Sequence, residues 1–466
     1  MKQFLLCNPW IHDFTAYDLW MRPLGLLSLG ETLMKSGARV ELVDVLDRGH
    51  PAWGPNANPK SKADGSGAFF KTHIQKPEIV RFVPRWFSRY GAPFENVEKH
   101  LKRLAQENSF DALLLGSSMT YWYLGAAETA RLLRRCFPGT PLIFGGLYAD
   151  LLPGHAAQHI NADLICSFHE RPPPRIRELE KILGTKLQPW SESLPQSIGR
   201  AMSLYPHPTS YPLMTSMGCS FKCKFCATPL LHPGFHRRDF KEVAEEILTA
   251  HEVQGMKDFV FYDDALLHQP DKHIKPLLQL LLEAGGGTRF EISFHTPNGL
   301  SPRFIDEELA SMMKRTGFKR PRLSLESSAP ARENDMNAKI TLEQYERAMS
   351  CLLKSGFAHG EPITYVLAGL PGQKEDEIEA TIRAAYEAGS TVTVSGLSPI
   401  PGTPSWTDWK IPEHTDPLLL GNSVFLEHGA PRLNPVEVSE STAAGDGLHR
   451  LRMYARKLNS IFKSGF

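Results

Sequence analysis

Short, uninterrupted apolar runs alternate with longer amphipathic stretches along most of the chain. A strand covered by helices on both faces is apolar throughout, so this alternation predicts βαβ units on parallel sheets. In the N-terminal part the predicted strands are residues 3–7, 40–45, 112–115, 141–144 and 164–167. The clearest helical patterns between them are residues 24–35, 97–106 and 126–136.

A second alternating series starts at Tyr211. Its predicted strands are residues 213–217, 259–262, 290–294, 322–325, 364–367 and 391–394, and its predicted helices are 241–254, 274–284, 306–316, 342–355 and 375–388. Six strands are too few for a closed eightfold barrel, so the pattern predicts an open, partial (β/α)6 barrel. Ligands in α/β folds bind where the strands end, at their carboxyl edges.

Breaks in this pattern predict the domain organisation of an α/β protein. A doubly wound, Rossmann-like domain is expected at residues 1–187, with an insertion at about 48–93 whose order the sequence does not settle. A linker rich in Pro and Ser follows at 188–210, then the barrel at 211–406 and a helical extension at 407–466. The basic stretch near the C-terminus is typical of a solvated helix face.

Composition narrows the classes of partner. The 466 residues include 52 basic and 51 acidic side chains, a formal charge of +1, and 42% are hydrophobic. Such a chain can bury large cores and has no overall attraction for nucleic acid or an anionic membrane. Neither the N-terminus nor the weakly charged stretch 112–127 is apolar enough for a signal peptide or a membrane span. We therefore expect a cytoplasmic protein with no membrane or nucleic-acid partner and a small-molecule or peptide substrate.

Three of the seven cysteines are clustered. Cys219, Cys223 and Cys226 follow the first strand of the second series with the spacing CxxxCxxC, whereas the other four are scattered. An odd, sparse set argues against a disulfide framework. Three thiolates from one loop can bind three irons of a cubane and leave the fourth iron open. The alternative is zinc, with His232 or His236 completing a Cys3His tetrahedron.

The cysteine loop resembles the signature of radical S-adenosylmethionine (SAM) enzymes. Phe225, an aromatic residue directly before the third cysteine, belongs to that signature. The ordered motifs HRRDF, FYDD, PNGL, LSLESS, YVLAGLPGQ and SPIPGT, which start at residues 236, 261, 297, 323, 365 and 398, resemble the cobalamin-associated branch of the same superfamily. The similarity covers roughly residues 211–406.

The resemblance implies a 4Fe-4S cluster on Cys219, Cys223 and Cys226, with the amine and carboxylate of SAM chelating the fourth iron. One electron, from a donor such as flavodoxin or ferredoxin, would cleave SAM into methionine and a 5′-deoxyadenosyl radical that abstracts a substrate hydrogen. Such an enzyme is oxygen-sensitive. Lys222 and Lys224 are expected to offset part of the thiolate charge.

Acidic residues stand at the ends of two predicted barrel strands. Asp263 and Asp264 follow the second strand, where they either cap a helix or place a carboxylate near the ammonium of SAM. Glu326 ends the fourth strand and resembles the acidic residue that binds the ribose of SAM. An unpaired Glu is costly inside a core, which favours the binding role.

Other strand ends offer further candidates. His295, after the third strand, is either a satisfied structural group or a catalytic residue that contacts substrate or shuttles protons. Gly369 and Gly372 form an ordinary strand-to-helix turn or, as the resemblance implies, a turn that faces SAM.

The N-terminal domain carries its own candidates. Ser117, after the third strand, and the pair Gly145 and Gly146, after the fourth, resemble the cobalamin-binding domain that precedes many such barrels. The motif Asp-x-His-x-x-Gly is missing, so cobalamin, if bound, is expected without a protein histidine on its cobalt. The alternative is a domain that keeps the fold without the cofactor.

The resulting hypothesis is cobalamin-dependent methylation of an unactivated carbon. Two alternatives stay open at this point. One is a radical SAM enzyme that rearranges or cyclises its substrate without methyl transfer, and the other is a zinc-stabilised binding module without catalysis.

Overall fold

The computed structural model describes residues 1–54, 59, 61–62, 65–167, 174–186, 197–285, 291–332, 335–336, 339–433 and 446–464. Residues 188–196 of the predicted linker and residue 290 of a predicted strand therefore lie outside the described residues. The chain divides into two compact units, Met1–Tyr211 and Pro212–Phe466. Within the described ranges, every helix is too short or too polar to cross a membrane.

The first unit is rich in short strands. They are β1 (Gln3–Asn8), β2 (Ile11–Asp13), β3 (Tyr17–Asp18), β4 (Arg39–Asp44), β5 (Gly67–Ala68), β6 (Lys71–His73), β7 (Ser88–Tyr90), β8 (Ala112–Leu115), β9 (Leu142–Phe144) and β10 (Leu164–Ile165). The helices are α1 (Leu24–Lys35), α2 (Phe94–Glu107), α3 (Tyr123–Cys136), α4 (Leu147–Leu151), α5 (Pro153–His159), α6 (Pro174–Leu183) and α7 (Gly199–Met202).

Five of these strands form one parallel sheet in the order β10-β9-β8-β1-β4. They are the five strands that the apolar runs predict, and they are buried almost throughout. This confirms the Rossmann-like α/β class. The strand order reverses between β1 and β8, because β4 lies on one side of β1 and β8 on the other. Open parallel sheets bind ligands at the carboxyl end of such a switch point.

The insertion is ordered where it is described. Strands β2, β7 and β6 form a small antiparallel sheet, and β3 pairs with β5. Arg89 on β7 donates to Glu128 of α3 at 2.9 Å, and the same carboxylate contacts His12 Nε2 at 2.9 Å. This network fixes the insertion sheet to a helix of the parallel sheet.

The second unit begins with β11 (Tyr211–Leu213) and β12 (Ser216–Gly218). Its other strands are β13 (Phe235–Arg237), β14 (Asp258–Phe261), β15 (Ser293–His295), β16 (Arg322–Glu326), β17 (Ile363–Ala368) and β18 (Thr391–Gly396). Its helices are α8 (Thr228–Leu231), α9 (Phe240–Gln254), α10 (Ile274–Ala284), α11 (Glu307–Thr316), α12 (Leu342–Lys354), α13 (Glu375–Glu387), α14 (Pro404–Asp408), α15 (Ala430–Leu433) and α16 (Asp446–Ser464).

The barrel strands form two three-stranded sheets, β11-β14-β15 and β16-β17-β18. Two isolated parallel bridges, Phe294 to Phe318 and Leu300 to Leu323, continue the pairing from one sheet towards the other. This arrangement confirms the predicted partial six-stranded barrel. The aromatic rings of Phe261, Phe294 and Phe318 pack together in its core, with centroids 5.2 to 5.8 Å apart.

The first barrel strand differs from the prediction of one strand at residues 213–217. The chain leaves β11 after Leu213, and β12 pairs with β13 as an antiparallel hairpin. The physical reason is Asp263, whose carboxylate accepts the backbone N–H groups of Thr215 and Ser216. A side chain thus takes the place that a neighbouring strand would occupy.

The outer strand β18 is covered by α16. Asn459 on this helix accepts the N–H of Val392 through Oδ1 and donates to its carbonyl through Nδ2, both at 2.8 Å. One side chain therefore satisfies both backbone groups of an edge residue.

Replacing Asn459 by alanine is expected to lower the free energy of unfolding of the barrel unit by about 1 to 2 kcal/mol, because two backbone groups lose their partners. Urea denaturation followed by circular dichroism measures this loss. Ser460→Ala is the matched control, since the Ser460 hydroxyl makes only an exposed bond within the same helix. An equal loss in both variants would contradict the role assigned to Asn459.

Candidate functional site

The cysteine loop is held between two strands of a hairpin. It leaves β12 at Gly218 and returns to β13 at Phe235, which is paired with Gly218. Gly218 has φ +82°, and a Cβ there would lie 2.1 Å from the carbonyl oxygen of Gly234. Only glycine fits this position, so the chain enters the loop at a fixed angle.

Gly218→Ala is expected to cost about 3 kcal/mol of stability, because a left-handed backbone and a backbone collision add up. Gly255→Ala is the control: Gly255 has φ +68°, but no atom lies within 4 Å of its added Cβ, and about 1 kcal/mol is expected. Thermal unfolding of both variants tests the difference. Equal losses would mean that the close approach to Gly234 is unimportant.

The three thiols of the loop have local partners. Cys219 Sγ accepts the N–H of Phe221 at 3.4 Å, and Cys226 Sγ accepts that of Thr228 at 3.4 Å. Cys223 is buried, and its thiol donates to the carbonyl of Met336 at 3.3 Å. N–H donors to sulfur are typical of iron–sulfur sites, where they stabilise thiolate charge. The loop thus offers N–H donors of the kind that such a site uses. Among the described residues, no three His, Cys, Asp or Glu side chains are placed to hold a single metal ion, so the three-cysteine assignment rests on the sequence motif.

Burial opposes ionisation of these thiols. Desolvation raises the pKa of Cys223 to about 12 and also raises the pKa of Cys219, and in both cases the charge of Lys339 opposes the shift. The expected cation, Lys224, lies elsewhere: its ammonium is 3.0 Å from Asp335 Oδ1. Lys222 is exposed. Lys339, which lies in none of the sequence motifs, lowers the pKa of both thiols.

Asp263 is buried, and its carboxylate accepts several hydrogen bonds. It accepts the hydroxyls of Thr215 at 2.7 Å and Ser216 at 2.6 Å in addition to their N–H groups. The Thr215 hydroxyl also contacts His273 Nε2 at 2.7 Å. This geometry favours a role in holding the chain that leads into the cysteine loop, rather than contact with the ammonium of SAM.

Asp264 is connected to the cysteine loop through Thr228, whose hydroxyl bonds the Asp264 carboxylate and lies 3.3 Å from Cys226 Sγ. The charge of Asp264 raises the pKa of Cys219. Desolvation raises the pKa of Asp264 itself to about 6, with the Thr228 hydroxyl opposing the shift, although part of the side chain remains exposed. Of the two aspartates, Asp264 is the one available to a ligand at the loop.

Glu326 ends β16 in an unusual backbone conformation. Its φ is +62°, and the pairing with β17 shifts register between Ser324 and Glu326. A left-handed glutamate is strained, and such strain persists where a site requires it. The side chain is mostly buried, with Oε1 3.4 Å from Lys339 Nζ. These features favour the ribose-binding role that the resemblance implies.

The turn after β17 is rigid. Gly369 and Gly372 both have positive φ, and the buried Gln373 side chain accepts the N–H of Gly369 at 2.8 Å and donates to Leu367 at 3.1 Å. Arg332 donates to the carbonyl of Gly372 at 2.6 Å. The sequence pattern around Arg332 does not reveal this role, because Gly372 is 40 residues away along the chain. A Cβ on Gly369 would lie 2.4 Å from Leu426 Cδ1, so packing explains this glycine, whereas a Cβ on Gly372 would have open space.

His295 has a structural partner. Its Nε2 contacts Asp258 Oδ1 at 2.7 Å, and the imidazole is almost completely buried. Asp258 is the first residue of β14, so the ring reaches toward the amino end of that strand, away from the edge where the cysteine loop lies. The geometry favours the structural alternative, and we assign His295 no catalytic step.

In the first unit, a cleft lies at the switch point of the sheet. It is a small recess that is partly open to solvent. It is lined by Asn8, Pro9, Trp10, Ile11, Leu46, Ser117, Ser118, Met119, Trp122, Tyr123, Ala126 and Tyr148. These described lining residues include no histidine, cysteine or carboxylate. The cleft is therefore lined by neutral groups, both apolar and polar, with several aromatic rings among them.

The predicted small residues lie together beside this cleft. The Ser117 hydroxyl donates to the carbonyl of Gly145 at 2.8 Å. Gly146 has φ +96°, and a Cβ there would lie 2.4 Å from the carbonyl oxygen of Ser117. The close packing of the two loops thus explains Gly146, and Gly145 has ordinary space around it. Phe225, the remaining candidate, is partly buried in the cysteine loop.

Comparison with known proteins supports the barrel assignment. Residues 213–385 match the sequence model of the radical SAM superfamily. The chain is 28% identical over 200 residues to cytidylyl-2-hydroxyethylphosphonate methyltransferase of Streptomyces wedmorensis, covering 41% of this chain and 36% of the relative. It is 26% identical over 288 residues to bacteriochlorophyllide d C-12(1)-methyltransferase of Chlorobaculum tepidum, covering 58% and 60%. The matches thus span less than two thirds of either relative.

Solved structures match both units. The radical SAM methyltransferase TsrM from Kitasatospora setae superposes with a TM-score of 0.61 at 15% identity, covering 88% of this chain and 76% of TsrM. The cobalamin-dependent SAM radical enzyme OxsB gives a TM-score of 0.54 at 14% identity, with 88% and 55% covered. At such identities the likeness concerns the fold. The sequence match to the radical SAM superfamily concerns residues 213–385, the part of the chain that forms the barrel.

Proposed function

We propose that the protein is a radical SAM enzyme that uses cobalamin to methylate an unactivated carbon. One observation carries this proposal: a chain whose residues 213–385 match the radical SAM superfamily also contains a parallel sheet with a cleft lined by neutral groups at its switch point. The similar curated proteins named above are methyltransferases, which supports methyl transfer over rearrangement or cyclisation. The superfamily match supports an iron–sulfur cluster over a zinc module.

Different described residues at the barrel edge would bind the iron–sulfur cluster and SAM. Cys219, Cys223 and Cys226 would hold the cluster, and Glu326 and Asp264 would bind the ribose and ammonium of SAM. The turn at Gly369 and Gly372, held by Gln373, would line the same cofactor. Bound at this edge, SAM would yield a carbon radical by reductive cleavage next to the substrate.

The cleft of the first unit would take part of cobalamin. Ser117, Gly145 and Gly146 present small groups beside it, and Met119 exposes 44% of its side chain there. Cobalamin would supply the carrier that moves a methyl group from SAM to the substrate. The nearby His12 already forms a hydrogen bond with Glu128. This contact supports cobalamin binding without a histidine ligand on the cobalt.

Anaerobic purification followed by iron, sulfide and cobalt analysis tests this proposal. We expect a 4Fe-4S cluster and bound cobalamin, and dithionite with methyl-labelled SAM should release 5′-deoxyadenosine and load the label onto cobalamin. Stoichiometric zinc without iron would overturn the enzyme proposal. Iron and 5′-deoxyadenosine without any cobalt binding would overturn the methyltransferase proposal alone.

Met119→Glu is expected to weaken cobalamin binding about tenfold, because a carboxylate in a cleft lined by neutral groups must be desolvated when the ligand enters. Equilibrium binding followed by the visible spectrum of cobalamin measures the change, and iron content should stay constant. Ile79→Glu is the matched control, since Ile79 is 40% exposed but does not line the cleft. Unchanged affinity in Met119→Glu would place cobalamin elsewhere.

The partners follow from the same chemistry. We propose a small-molecule or peptide substrate, since the nearly neutral chain offers no overall attraction for a polyanion. A flavodoxin or ferredoxin of the cytoplasm would supply the electron.

A further inference from the structure

A network of alternating charges joins two loops of the candidate site. Lys224, between the second and third cysteines, has its ammonium 3.0 Å from Asp335 Oδ1, and its N–H donates to the Asp335 carbonyl at 2.9 Å. Asp335 Oδ2 lies 3.6 Å from Arg332 Nη1. The carbonyl of the next residue, Met336, accepts the thiol of Cys223 at 3.3 Å. The segment that follows β16 therefore contacts the cysteine loop through both backbone and side chains.

The other end of this charged network is the turn after β17. Arg332 donates to the carbonyls of Pro371 at 2.9 Å and Gly372 at 2.6 Å. Its guanidinium also forms two bonds, at 2.9 and 3.2 Å, with the carboxylate of Glu377 on α13. One planar group thus binds the turn and the first part of the following helix, an arrangement that the single ammonium of a lysine does not reproduce.

Most of the charged network is removed from solvent. The side chains of Arg332, Asp335 and Glu377 are 12%, 16% and 21% exposed, and that of Lys224 is 40% exposed. Isolated surface ion pairs contribute little to stability, but bidentate pairs within a network hold a defined geometry. Each charge has an opposite charge beside it, so the network is balanced by the chain's own residues. The spacing between the cysteine loop and the turn is therefore set by one series of contacts.

We propose that Arg332 and Asp335 are positioning residues that fix the cysteine loop and the turn at Gly372 relative to each other. The inference rests on the proposed function, in which the loop holds the iron–sulfur cluster and the turn lines SAM. A ligand that reaches both loops binds more tightly when their spacing is preset, because the entropy of ordering them is lost on folding rather than on binding. Neither residue has to touch SAM for this effect.

Equilibrium dialysis of labelled SAM against the anaerobically reconstituted protein tests this role, with binding expressed per loaded cluster. Arg332→Met should weaken SAM binding about tenfold, because charged bonds to the turn are lost. Lys224→Met should weaken it about threefold, as for a more exposed ion pair. If both side chains act through one network, the double variant should lose about tenfold, whereas independent effects would multiply to about thirtyfold.

Hydrogen–deuterium exchange of the protein without its cluster tests the same coupling in the absence of SAM. Arg332→Met should speed exchange in the turn, which it contacts directly, and also in the cysteine loop, which it reaches through Asp335. Asp335→Asn removes the charge between the two loops but keeps the shape of the side chain, so it should also speed exchange in both. This milder variant decides the question if Arg332→Met does not fold.

Arg450→Met is the matched control for Arg332→Met. Arg450 forms the same kind of paired bond with a glutamate of α13, at 2.9 and 3.2 Å from the carboxylate of Glu375, but it lies on α16. Its replacement should leave SAM binding and exchange in the cysteine loop unchanged. An equal effect of Arg450→Met would mean that the network around Arg332 has no special role.

Two further results would overturn the inference. One is faster exchange that stays confined to the turn in Arg332→Met and to the cysteine loop in Asp335→Asn, and the other is a pair of losses in SAM binding that multiply in the double variant. The proposed function would survive both results. Wild-type protein that loads no iron would instead refute the proposed function, and the exchange experiment would still test the network.

Discussion

Replacing Cys223 by alanine is expected to abolish reductive cleavage of SAM. Cys223 is the buried member of the three cysteines, and its thiol already faces Met336 rather than solvent. Two thiolates cannot hold a cubane as three do, so the cluster should be lost or labile. We expect a fall in 5′-deoxyadenosine formation of at least about a thousandfold, since cleavage requires the electron that the cluster delivers. Anaerobic assays with iron and sulfide analysis measure both effects.

The matched control is Cys351→Ala. Cys351 is also buried, but it lies on α12, outside the cysteine loop, and its pKa is raised mainly by desolvation. This variant should keep iron, sulfide and cleavage activity, with only the small loss of stability that follows from a lost sulfur atom. Normal SAM cleavage by Cys223→Ala would refute the assignment of the cluster ligands.

The two adjacent aspartates are expected to behave differently. Asp263→Ala should cost about 3 to 5 kcal/mol of stability, because buried N–H and hydroxyl groups of Thr215 and Ser216 lose a charged acceptor. Since these residues lead into the cysteine loop, cluster loading should fall as well. Urea denaturation and iron analysis test both consequences.

Asp264→Ala is the matched variant for this comparison. Its carboxyl group is connected to the cysteine loop through Thr228, with a raised pKa of about 6. We expect a change in stability within about 0.5 kcal/mol, as for ordinary exposed positions, but a KM for SAM raised about tenfold. A large loss of stability from Asp264→Ala, with little from Asp263→Ala, would reverse the two roles.

The main strands of both units could be predicted from the sequence because each is a continuous apolar run between helical patterns. The exception, residues 213–217, is instructive. The chain there is apolar enough for one strand, but the carboxylate of Asp263, some 48 residues away, satisfies its backbone and lets it turn into a hairpin. A local pattern contains no information about such a distant acceptor.

The residues of the candidate site also differ in whether the sequence alone could reveal them. The cysteines and the turn glycines could be found because close spacing along the chain creates them. Lys339, Arg332 and Gln373 could not be found in that way, because they act through contacts with Glu326 and with the Gly369 turn that the fold creates. Asp263 was found, but its contacts differ from those expected of a ligand-binding carboxylate.

The cap that Asn459 places on β18 also concerns the solution behaviour of the protein. A sheet edge with free N–H and C=O groups is a template on which the same edge of another molecule can form a continuous sheet. Closed eightfold barrels avoid this hazard because they have no edge strand. In this open barrel, the edge strand β18 is covered by the α16 helix. The α16 helix therefore protects the protein against self-association, a contribution that is separate from any part in catalysis.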